Sequence, residues 1–426
     1  MAATAETSLL DELEWRGMVQ QVAARERLAE LLAAGEATVY CGFDPTADSM
    51  HIGNLVPLLA LARFQRAGHR PIVLIGGGTG LIGDPSGRSS ERTLQDAGTV
   101  ADWAGRFRKQ AGPLLDFDSG AALLLDNREW LVPLSAIELL RDVGKHFPVG
   151  WMLGKESVRA RMEGEGLSYT EFSYMVLQAY DFLYLFREEN CLIQIGGSDQ
   201  FGNITAGIEL IRRVAGASAA GLTFPLVTNA AGEKFGKSVD GAIWLDPART
   251  SPYAFYQFWI NTEDRDAVPY LKLFTFLDRE RISELEAALA AHPERREAQR
   301  ALAVEMTTML HGPDECAHAV AVTEALFGSG PLAAVDPARL EIALESAPTV
   351  RIDGAASPPE YAELLVQTGL AKSISEAVRL VDGGGVSAND RKVGDARTRP
   401  SAGDFLGGRL LVLRRGKRTH ALVVRE

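Results

Sequence analysis

The sequence predicts an α/β fold in which a doubly wound parallel sheet is followed by an α-helical domain and a small C-terminal α+β domain. Short apolar strand signals alternate with helical stretches over the first 250 residues, the pattern of a parallel sheet covered by helices. Strand signals stop near residue 252, and helical periodicity continues to residue 327. From about residue 358 the pattern is mixed again.

Five short apolar segments predict the strands of the sheet. The first follows a helical N-terminus that ends at Gly35, and the helix after it ends near Gly68, because glycine favours the position after a helix. The five segments are 38–43, 71–75, 121–126, 192–195 and 242–245. Since such sheets bind ligands at the carboxyl ends of their strands, the loops after these segments are candidate sites.

The remainder of the chain is divided by its composition. The predicted helices are 253–260, 265–275, 279–291, 294–310 and 314–327. Glycine, proline and alanine are frequent from 328 to 358, which is typical of a linker. The expected domains are 1–250, 251–335 and 358–426, with the linker at 336–357.

Composition excludes several classes of protein. The 426 residues are 46% apolar and 23% charged, which fits a globular protein of two or three domains and excludes a disordered one. No apolar stretch reaches the length of a membrane span, and the N-terminus lacks the pattern of a signal peptide. Cys41, Cys191 and Cys316 form no CxxC pair or disulfide framework. We expect a cytoplasmic protein without a membrane partner.

Charge is distributed unevenly along the chain. The net charge is −12, but the residues from Arg351 onward include 13 Lys and Arg against nine Asp and Glu. From Arg391 onward the numbers are ten and three. A basic tail on an acidic body is typical of an enzyme with a nucleic-acid module, although a solvated patch that aids solubility has the same charge.

The segment DPTADSMHIGN, residues 44–54, follows the first predicted strand and opens a helix. A helix N-terminus presents unpaired N–H groups and the positive end of its dipole, which suits phosphates. His51 and Asn54 are three residues apart, and Gly53 between them lets a nucleotide approach closely. Taken alone, His51 could equally be an ordinary residue at a helix start.

Two further loops contain residues that suit phosphates. Gly78, Gly80 and Gly83 match the dinucleotide fingerprint formally, but that fingerprint belongs in the first strand–helix turn, which residues 44–54 occupy. The glycines could instead form a tight crossover. Asp84, Arg88 and Arg92 follow them, and arginines near a strand end are good phosphate ligands.

The segment EKFGKS, residues 233–238, ends like a P-loop, but Ala231 stands where that motif requires glycine. Lys234 and Lys237 could clamp a polyphosphate. The alternative is a charged hairpin without a ligand.

The segment 168–186 is helical and apolar almost all round, which predicts burial. Tyr174, Gln178 and Asp181 nevertheless fall on one face, at positions i, i+4 and i+7. Buried polar groups need partners, so the stripe indicates either an internal hydrogen-bond network or a pocket for a small polar ligand. Asp199 and Gln200 are likewise polar residues at a helix start, after the strand at 192–195.

Two of these motifs together resemble the signatures of class I aminoacyl-tRNA synthetases. His51-Ile-Gly-Asn54 is similar to the motif written HIGH, and Lys234-Phe-Gly-Lys-Ser238 to its partner KMSKS. The segments YCGFDPT, GGGTGLIGDPSGRSSERTL, YTEFSYMVLQAYDFL and QIGGSDQFGNITAG resemble the bacterial tyrosyl-tRNA synthetase family over nearly the whole chain. Asn54, Phe235 and Gly236 depart from the motifs as usually written, in ways common in that family.

The resemblance implies an activity and an organisation. The implied reaction is ATP-dependent activation of L-tyrosine to tyrosyl-adenylate, then transfer to the 3′-terminal ribose of tRNA(Tyr). Mg²⁺ would arrive with ATP, and no protein-bound metal is expected because no Asp, Glu and His cluster has ligand spacing. The implied parts are a Rossmann-like catalytic domain with a homodimer-forming insertion at about 112–165, a helical anticodon-binding domain and a ribosomal-protein-like RNA-binding tail.

The resemblance also implies roles for individual residues. Those that would act on the ATP phosphates are Thr46, His51, Arg88, Arg92, Lys234 and Lys237. Those that would bind tyrosine are Tyr40, Asp84, Tyr174, Gln178, Asp181 and Gln200. The remaining ATP contacts would be Cys41, Gly42, Asp44, Gly53, Asn54 and Asp199. The tRNA contacts would be Lys392, Arg397, Arg399, Arg414, Arg415, Lys417 and Arg418.

Other functions remain open at this point. A nicotinamide-dependent enzyme would use the glycines at 78–83 and leave 233–238 without a role. An RNA-binding protein with a degenerate catalytic body would use only the basic tail. Within the synthetases, the tryptophan enzyme is the nearest competitor, and Tyr40 with Asp181 argues against it.

Overall fold

The structure, a computed structural model, describes residues 8–84, 86, 97–163, 166–228, 232, 235, 237–238, 241–416 and 419–426. The chain forms two compact units. The first comprises Met1–Thr250 and Asn261–Leu302, and the second comprises Ser251–Ile260 and Ala303–Glu426.

The helices, in chain order, are α1 Leu9–Trp15, α2 Arg25–Ala33, α3 Leu55–Arg66, α4 Ala97–Ala111, α5 Arg128–Leu131, α6 Ala136–Glu138, α7 Val149–Leu153, α8 Glu156–Glu163, α9 Tyr169–Glu189, α10 Phe201–Ala215, α11 Pro252–Ile260, α12 Asp264–Phe274, α13 Arg279–Ala291, α14 Glu297–His311, α15 Pro313–Phe327, α16 Pro337–Ala343, α17 Tyr361–Gln367 and α18 Ile374–Asp382. The strands are β1 Gln21–Ala23, β2 Thr38–Phe43, β3 Arg70–Ile75, β4 Leu123–Asp126, β5 Cys191–Gly197, β6 Ala220–Phe224, β7 Lys237–Ser238, β8 Gly241–Ala242, β9 Thr349–Ile352, β10 Val386–Ala388, β11 Arg391–Lys392, β12 Leu410–Arg415 and β13 Thr419–Arg425. Short 3₁₀ turns at Ile52–Asn54, Thr79–Leu81 and Ser198–Gln200 follow β2, β3 and β5.

The first unit is built on a six-stranded sheet of order β1-β6-β5-β2-β3-β4. All neighbours pair parallel except the edge strand β1, which pairs antiparallel with β6. Strand order reverses next to β2, so this is the predicted doubly wound α/β sheet. Helices α9 and α10 pack on one face, where Tyr40, Ile72, Phe182 and Leu210 share a buried apolar cluster.

One predicted strand was wrong. Residues 242–245 do not join the main sheet, because only Gly241–Ala242 is extended, in a short antiparallel pair with β7. The sheet instead contains β6, which the sequence did not indicate because Gly221 and Thr223 interrupt its apolar run. Ile243 and Leu245 are buried, as their residue types suggest, through pairing with residues 50–52 described below.

The second unit is built on a five-stranded sheet of order β11-β10-β12-β13-β9. Alternation along its two central strands separates two faces. Leu411, Leu413, Ala421 and Val423 face a cluster with α17 and α18. The opposite side chains, Leu410, Val412, Leu422 and Val424, face a cluster with α15 and α16.

The residues predicted as a linker, 336–357, contain the helix α16 and the strand β9. Strand β9 pairs with β13 as an edge of the five-stranded sheet, and Leu340 on α16 is fully buried. The predicted linker therefore contains regular structure, because Asp336 caps a helix whose first residue is Pro337 and Leu340 beyond it is buried. The predicted helices of 253–327 are confirmed to within a few residues, and the domain boundaries remain predictions.

Candidate active site

The polar loops of the first unit meet at one edge of its sheet. Strands β2, β3 and β4 run parallel, with Phe43 beside Ile75 and Ile75 beside Asp126. Strand β5 ends at Gly197 beside Phe224. The loops that begin at residues 44, 76, 127 and 198 therefore emerge together, as expected for the carboxyl edge of a parallel sheet.

An amide and carboxylate network joins α9 to the loops after β3 and β5. The Asn203 amide donates to Gln178 Oε1 at 3.0 Å and to Gln200 Oε1 at 3.2 Å. The Gln178 amide also donates to Gln200 Oε1, at 3.2 Å. The Gln200 amide donates to Asp84 Oδ2 at 2.7 Å and to Asp199 Oδ2 at 2.9 Å. These predicted site residues, separated by up to 116 positions, are therefore brought together.

The loop after β2 is tied to the same place through Asp44. Tyr174 donates its phenolic hydrogen to Asp44 Oδ2 at 3.1 Å, and the Thr79 hydroxyl donates to Asp44 Oδ1 at 2.9 Å. Gly76 lies close against Asp44, and a side chain there would collide with the carboxylate. The glycine run at 76–83 thus lets the loop approach Asp44. This close approach favours the interpretation of these glycines as a tight crossover.

Tyr40 and Asp181 lie buried below this network. Trp130 Nε1 donates to Asp181 Oδ1 at 2.7 Å, and the Asn127 amide donates to Asp181 Oδ2 at 2.9 Å. Burial raises the pKa of Asp181 to about 7. The two donors oppose this shift because they stabilise the charged form. The Tyr40 hydroxyl is buried without a hydrogen-bond partner among the described residues, and burial together with the Asp181 charge raises its pKa.

His51 begins the 3₁₀ turn that precedes α3. The Gly53 N–H donates to His51 Nδ1 at 3.0 Å, and the His51 N–H donates to Asn54 Oδ1 at 3.0 Å. Burial lowers the pKa of His51, so the imidazole is neutral at pH 7. Because Nδ1 accepts a hydrogen bond, the proton of the neutral ring lies on Nε2, which is then a donor.

The first motif is braced by the segment that follows the second motif. Ile52 N–H donates to Ile243 O at 2.9 Å, and Leu245 N–H donates to Met50 O at 2.9 Å. His51 forms an antiparallel bridge with Trp244, whose indole lies edge-on to the imidazole with centroids 6.3 Å apart. These bonds hold residues 50–52 beside residues 243–245, directly after β8.

The remaining predicted nucleotide contacts differ in exposure. Thr46 is exposed, and Gly42 is the exposed residue of β2, where a side chain would meet no neighbour among the described residues. Cys41 is buried, and burial raises the pKa of its thiol, which excludes a thiolate at neutral pH. A side chain at Gly53 would collide with the His51 ring, so glycine is required there.

Several predicted residues lie outside the described part of the chain. These residues are Arg88, Arg92, Lys234, Lys417 and Arg418. Of Lys237, only the backbone is described, in β7. In the second unit, Lys392, Arg397 and Arg399 are exposed. Arg414 donates to Ser387 Oγ at 3.3 Å, and Arg415 donates to Leu370 O at 2.7 Å, so both are half-buried and engaged.

Sequence reasoning missed three residues that contact the site. Asn127 accepts from the Gly78 N–H at 2.8 Å and donates to Thr79 Oγ1 at 3.0 Å as well as to Asp181. Trp130 contacts Asp181. Asn203 contacts Gln178 and Gln200. Asn127 directly follows a predicted strand, and that position was a usable signal. Nothing in the local pattern of Trp130 or Asn203 distinguishes either from an ordinary helix residue.

Comparison with protein families identifies two matching segments. Residues 33–328 match the family described as tRNA synthetases class I (W and Y). Residues 340–423 match the tyrosine–tRNA ligase SYY-like C-terminal domain. The chain belongs to the tyrosine–tRNA ligases. This family is part of the class I aminoacyl-tRNA synthetases, which use ATP as a substrate, and its members bind tyrosine and tRNA.

Individual relatives agree with the family. The chain is 51% identical over 424 residues to a tyrosine–tRNA ligase of Thermobifida fusca, covering 97% of this chain and 98% of the relative. It is 53% identical to one of Nocardia farcinica, covering 98% and 99%. The structure of a C-terminally truncated mitochondrial tyrosyl-tRNA synthetase from Aspergillus nidulans aligns with a TM-score of 0.69 at 32% identity, covering 76% of this chain and 95% of that chain. Among the described residues, no helix is both long and apolar enough to cross a membrane.

Proposed function

We propose that this tyrosine–tRNA ligase acts through the site assembled at the carboxyl edge of the first unit's sheet. In the first step, a tyrosine carboxylate oxygen bonds to the α-phosphorus of ATP. The bond from that phosphorus to the bridging oxygen breaks, and pyrophosphate leaves with the electron pair. In the second step, the terminal ribose hydroxyl of tRNA(Tyr) takes the acyl group and AMP leaves. The buried pair of Tyr40 and Asp181 is the observation that carries the choice of tyrosine.

Tyrosine would lie with its phenol against this pair. The Asp181 carboxylate already accepts two hydrogen bonds, and the substrate hydroxyl would add a third donor in a place that excludes water. The substrate ammonium needs acceptors and negative charge, which the Tyr174 hydroxyl, Gln178 and Asp84 supply. Gln200, hydrogen-bonded to both Gln178 and Asp84, would lie near the carboxyl group.

ATP would lie across the 3₁₀ turn at 52–54. His51 Nε2, which carries the ring proton, would donate to a phosphate oxygen, and the exposed Thr46 would contact the phosphates as well. Gly42 and Gly53 leave room for the nucleotide, while Cys41, Asp44, Asn54 and Asp199 would contact it at the ribose side. Arg88, Arg92, Lys234 and Lys237 would neutralise charge that develops on the leaving pyrophosphate.

No protein nucleophile takes part in this mechanism. Catalysis rests on orientation of the carboxylate and on charge stabilisation at the departing phosphates. Within the described ranges, no three His, Cys, Asp or Glu side chains lie close enough to hold a metal ion. Mg²⁺ would arrive with ATP, bound to its phosphates, and would neutralise part of their charge.

The protein would act as a cytoplasmic homodimer. Of the eleven large apolar side chains that are exposed among the described residues, six lie between Val132 and Met162. That concentration is typical of a surface covered by another protein, and it falls in the predicted dimer insertion. Ile137 is the most exposed of the six, at 69%. Ile137→Asp should give a monomer in sedimentation velocity, and a variant that stays dimeric would place the interface elsewhere.

Pyrophosphate exchange with each of the twenty amino acids tests the proposed function. We expect exchange with tyrosine alone, dependent on ATP and Mg²⁺. Tryptophan-dependent exchange would indicate the neighbouring member of the class, and no exchange would indicate an RNA-binding protein with an inactive body. Lys237→Ala should lower the exchange rate while tyrosine affinity stays nearly unchanged, because the lysine acts on the phosphates. Loss of tyrosine affinity in that variant would place Lys237 elsewhere.

A further inference from the structure

A row of polar and basic side chains crosses the five-stranded sheet of the second unit. Ser387 on β10 pairs with Lys392 on β11 and with Arg414 on β12. Arg414 pairs in turn with His420 on β13. Side chains that lie directly opposite on neighbouring strands point to the same face of a sheet. Because neighbouring strands lie about 4.8 Å apart, the row extends over about 14 Å.

This row lies on the face of the sheet that α15 and α16 cover. Val412 comes two residues before Arg414, and Leu422 comes two residues after His420, so strand alternation places all four side chains on one face. Val412 and Leu422 pack in the apolar cluster with α15 and α16. Beyond these two residues, the face changes from apolar to polar side chains.

Phe327 lies where the apolar part of this face ends. It is the last residue of α15 and is 52% exposed, whereas the preceding Leu326 is 1% exposed. The Phe327 ring meets the His420 ring edge-on, with centroids 5.6 Å apart and planes at 84°. Since His420 is buried and belongs to the row, an exposed aromatic ring adjoins the basic row at its β13 end.

The two cations of the row are not neutralised by carboxylates. Arg414 donates from Nε to Ser387 Oγ at 3.3 Å, and neither Arg414 nor Lys392 forms an ion pair in the described part of the chain. Other arginines of this unit are paired with glutamates, among them Arg351, Arg409 and Arg415. The charge of the row is therefore available to phosphates, which lysine and arginine bind well.

This surface lacks the composition of a protein-docking patch, which is contiguous and apolar. In the described part of the second unit, three large apolar side chains are exposed, each on a different helix. They are Phe327 on α15, Ile342 on α16 and Ile374 on α18. An exposed aromatic ring beside cations is instead typical of proteins that bind single-stranded nucleic acid, because a base stacks on the ring while the phosphates contact the cations.

We propose that Phe327 and the row from Lys392 to His420 form a contact for unpaired nucleotides of RNA. One base stacks on Phe327, Lys392 binds a phosphate, and Arg414, which Ser387 orients, adds positive charge between them. The row of about 14 Å matches about four stacked nucleotides, since a strand rises about 3.4 Å per nucleotide. The proposal rests on the proposed function, which supplies the RNA as tRNA(Tyr), and it specifies an unpaired segment of that RNA.

Filter binding of tRNA(Tyr) to the full-length chain tests both kinds of contact. Phe327→Ala should raise the dissociation constant about five- to 150-fold, which is the usual effect of losing one stacked base. The slope of log K against log salt should stay unchanged in that variant, because no charge is lost. Lys392→Gln should instead lower the slope by about 0.7.

Further variants separate stacking from apolar packing. Phe327→Leu should bind tRNA as poorly as Phe327→Ala, whereas Phe327→Trp should bind as wild type, because only an aromatic ring stacks on a base. Ile342→Ala removes an exposed apolar side chain from α16 and is the matched control, which should also bind as wild type. Pyrophosphate exchange should be unchanged in all of these variants, which would show that each one folds.

Oligonucleotides test the surface independently of the proposed function. In fluorescence anisotropy with a labelled twelve-nucleotide oligouridylate, Phe327→Ala should show the same loss of affinity. Affinity for an RNA duplex of equal length should change less than about twofold, because paired bases are not free to stack on a side chain.

Four outcomes would each overturn the proposal. These outcomes are no oligouridylate binding by the wild type, equal losses for strand and duplex, wild-type affinity in Phe327→Leu, and an equal loss in Ile342→Ala. Absence of tyrosine-dependent exchange in a wild type that binds oligouridylate would instead refute the proposed function, and the RNA contact would stand.

Discussion

The Asp181 carboxylate has two opposing influences acting on its charge. Burial in an apolar cluster disfavours ionisation, whereas the Trp130 and Asn127 donors at 2.7 and 2.9 Å favour it. Burial prevails in the absence of substrate, and the pKa is raised to about 7. In the proposed site, the phenol of tyrosine would add a third donor, whereas phenylalanine would add none and would leave the Tyr40 hydroxyl without a partner. Selection against phenylalanine would then follow from the cost of burying an unpaired polar group.

Tyrosine binding should depend on pH through Asp181. Below about pH 7 the carboxyl takes up a proton, so the phenol loses its charged acceptor and the proton competes with the substrate. The dissociation constant should rise by up to tenfold for each pH unit below about 7 and should be constant from about 7 to 8.5. Equilibrium dialysis from pH 5.5 to 8.5 measures this dissociation constant. Asp181→Asn should bind weakly and without this pH dependence, and a flat wild-type profile would show that the carboxylate is already ionised at pH 5.5.

At the scale of the element, α9 carries three of the predicted tyrosine contacts. Its start is fixed by a capping box, in which Ser168 Oγ accepts from Glu171 N–H and the Glu171 side chain accepts from Ser168 N–H. Glu171 also forms a buried ion pair with Arg161, at 2.8 Å, with both side chains less than 7% exposed. The helix register, and hence the direction of the polar stripe, depends on this terminus.

Breaking the buried ion pair should destabilise the fold more than breaking an exposed one. Arg161→Met leaves the Glu171 charge without its counter-ion and should reduce the free energy of unfolding by about 3–5 kcal/mol. Adding Glu171→Leu should recover most of that loss, because the unpaired buried charge is then absent. Urea unfolding measures the free energy of unfolding of the wild type, of Arg161→Met and of the double variant. Arg212→Met, which breaks the exposed pair with Glu209, is the control and should unfold almost as wild type. Equal destabilisation by Arg161→Met and Arg212→Met would contradict this prediction.

At the scale of the whole molecule, the chain separates an acidic catalytic part from a basic tail. Lys392, Arg397 and Arg399 are exposed in the second unit, whereas Arg414 and Arg415 are half-buried and already hydrogen-bonded. Phosphate contacts depend on exposed cations, each of which releases counter-ions from the nucleic acid. The exposed three are therefore the better candidates for contacts with tRNA.

Neutralising the exposed cations should weaken tRNA binding and its salt dependence together. Changing Lys392, Arg397 and Arg399 to Gln should lower the slope of log K against log salt by about two, since each phosphate contact contributes about 0.7–0.9. Pyrophosphate exchange should be unchanged, because the residues proposed for adenylation lie in the first unit. Filter binding from 50 to 300 mM salt measures the slope. Arg351 and Arg409, paired with Glu426 and Glu341, are the control positions, and an equal loss there would indicate a general charge effect.

The strands that carry the site could be predicted because their signals are local. Apolar runs and helical periodicity indicated four of the five predicted strands, the helices at 253–327 and the candidate loops. The polar stripe of Tyr174, Gln178 and Asp181 was also visible, because helical spacing alone places the three on one face. The helix and the strand within 336–357 were not predicted, since proline and alanine are compatible with either a linker or a capped helix.

Local patterns could not supply the partners of these side chains. Asn127 and Trp130 reach Asp181 from positions 54 and 51 residues away, and Ile243 accepts from the Ile52 N–H across 191 residues of the chain. The order of strands in the sheet decides which loops meet at its edge, and that order has no local signal. The sequence thus determined the residue types at each loop, whereas the tertiary structure decided which of them share a site, because hydrogen bonding and burial act between atoms that only folding brings together.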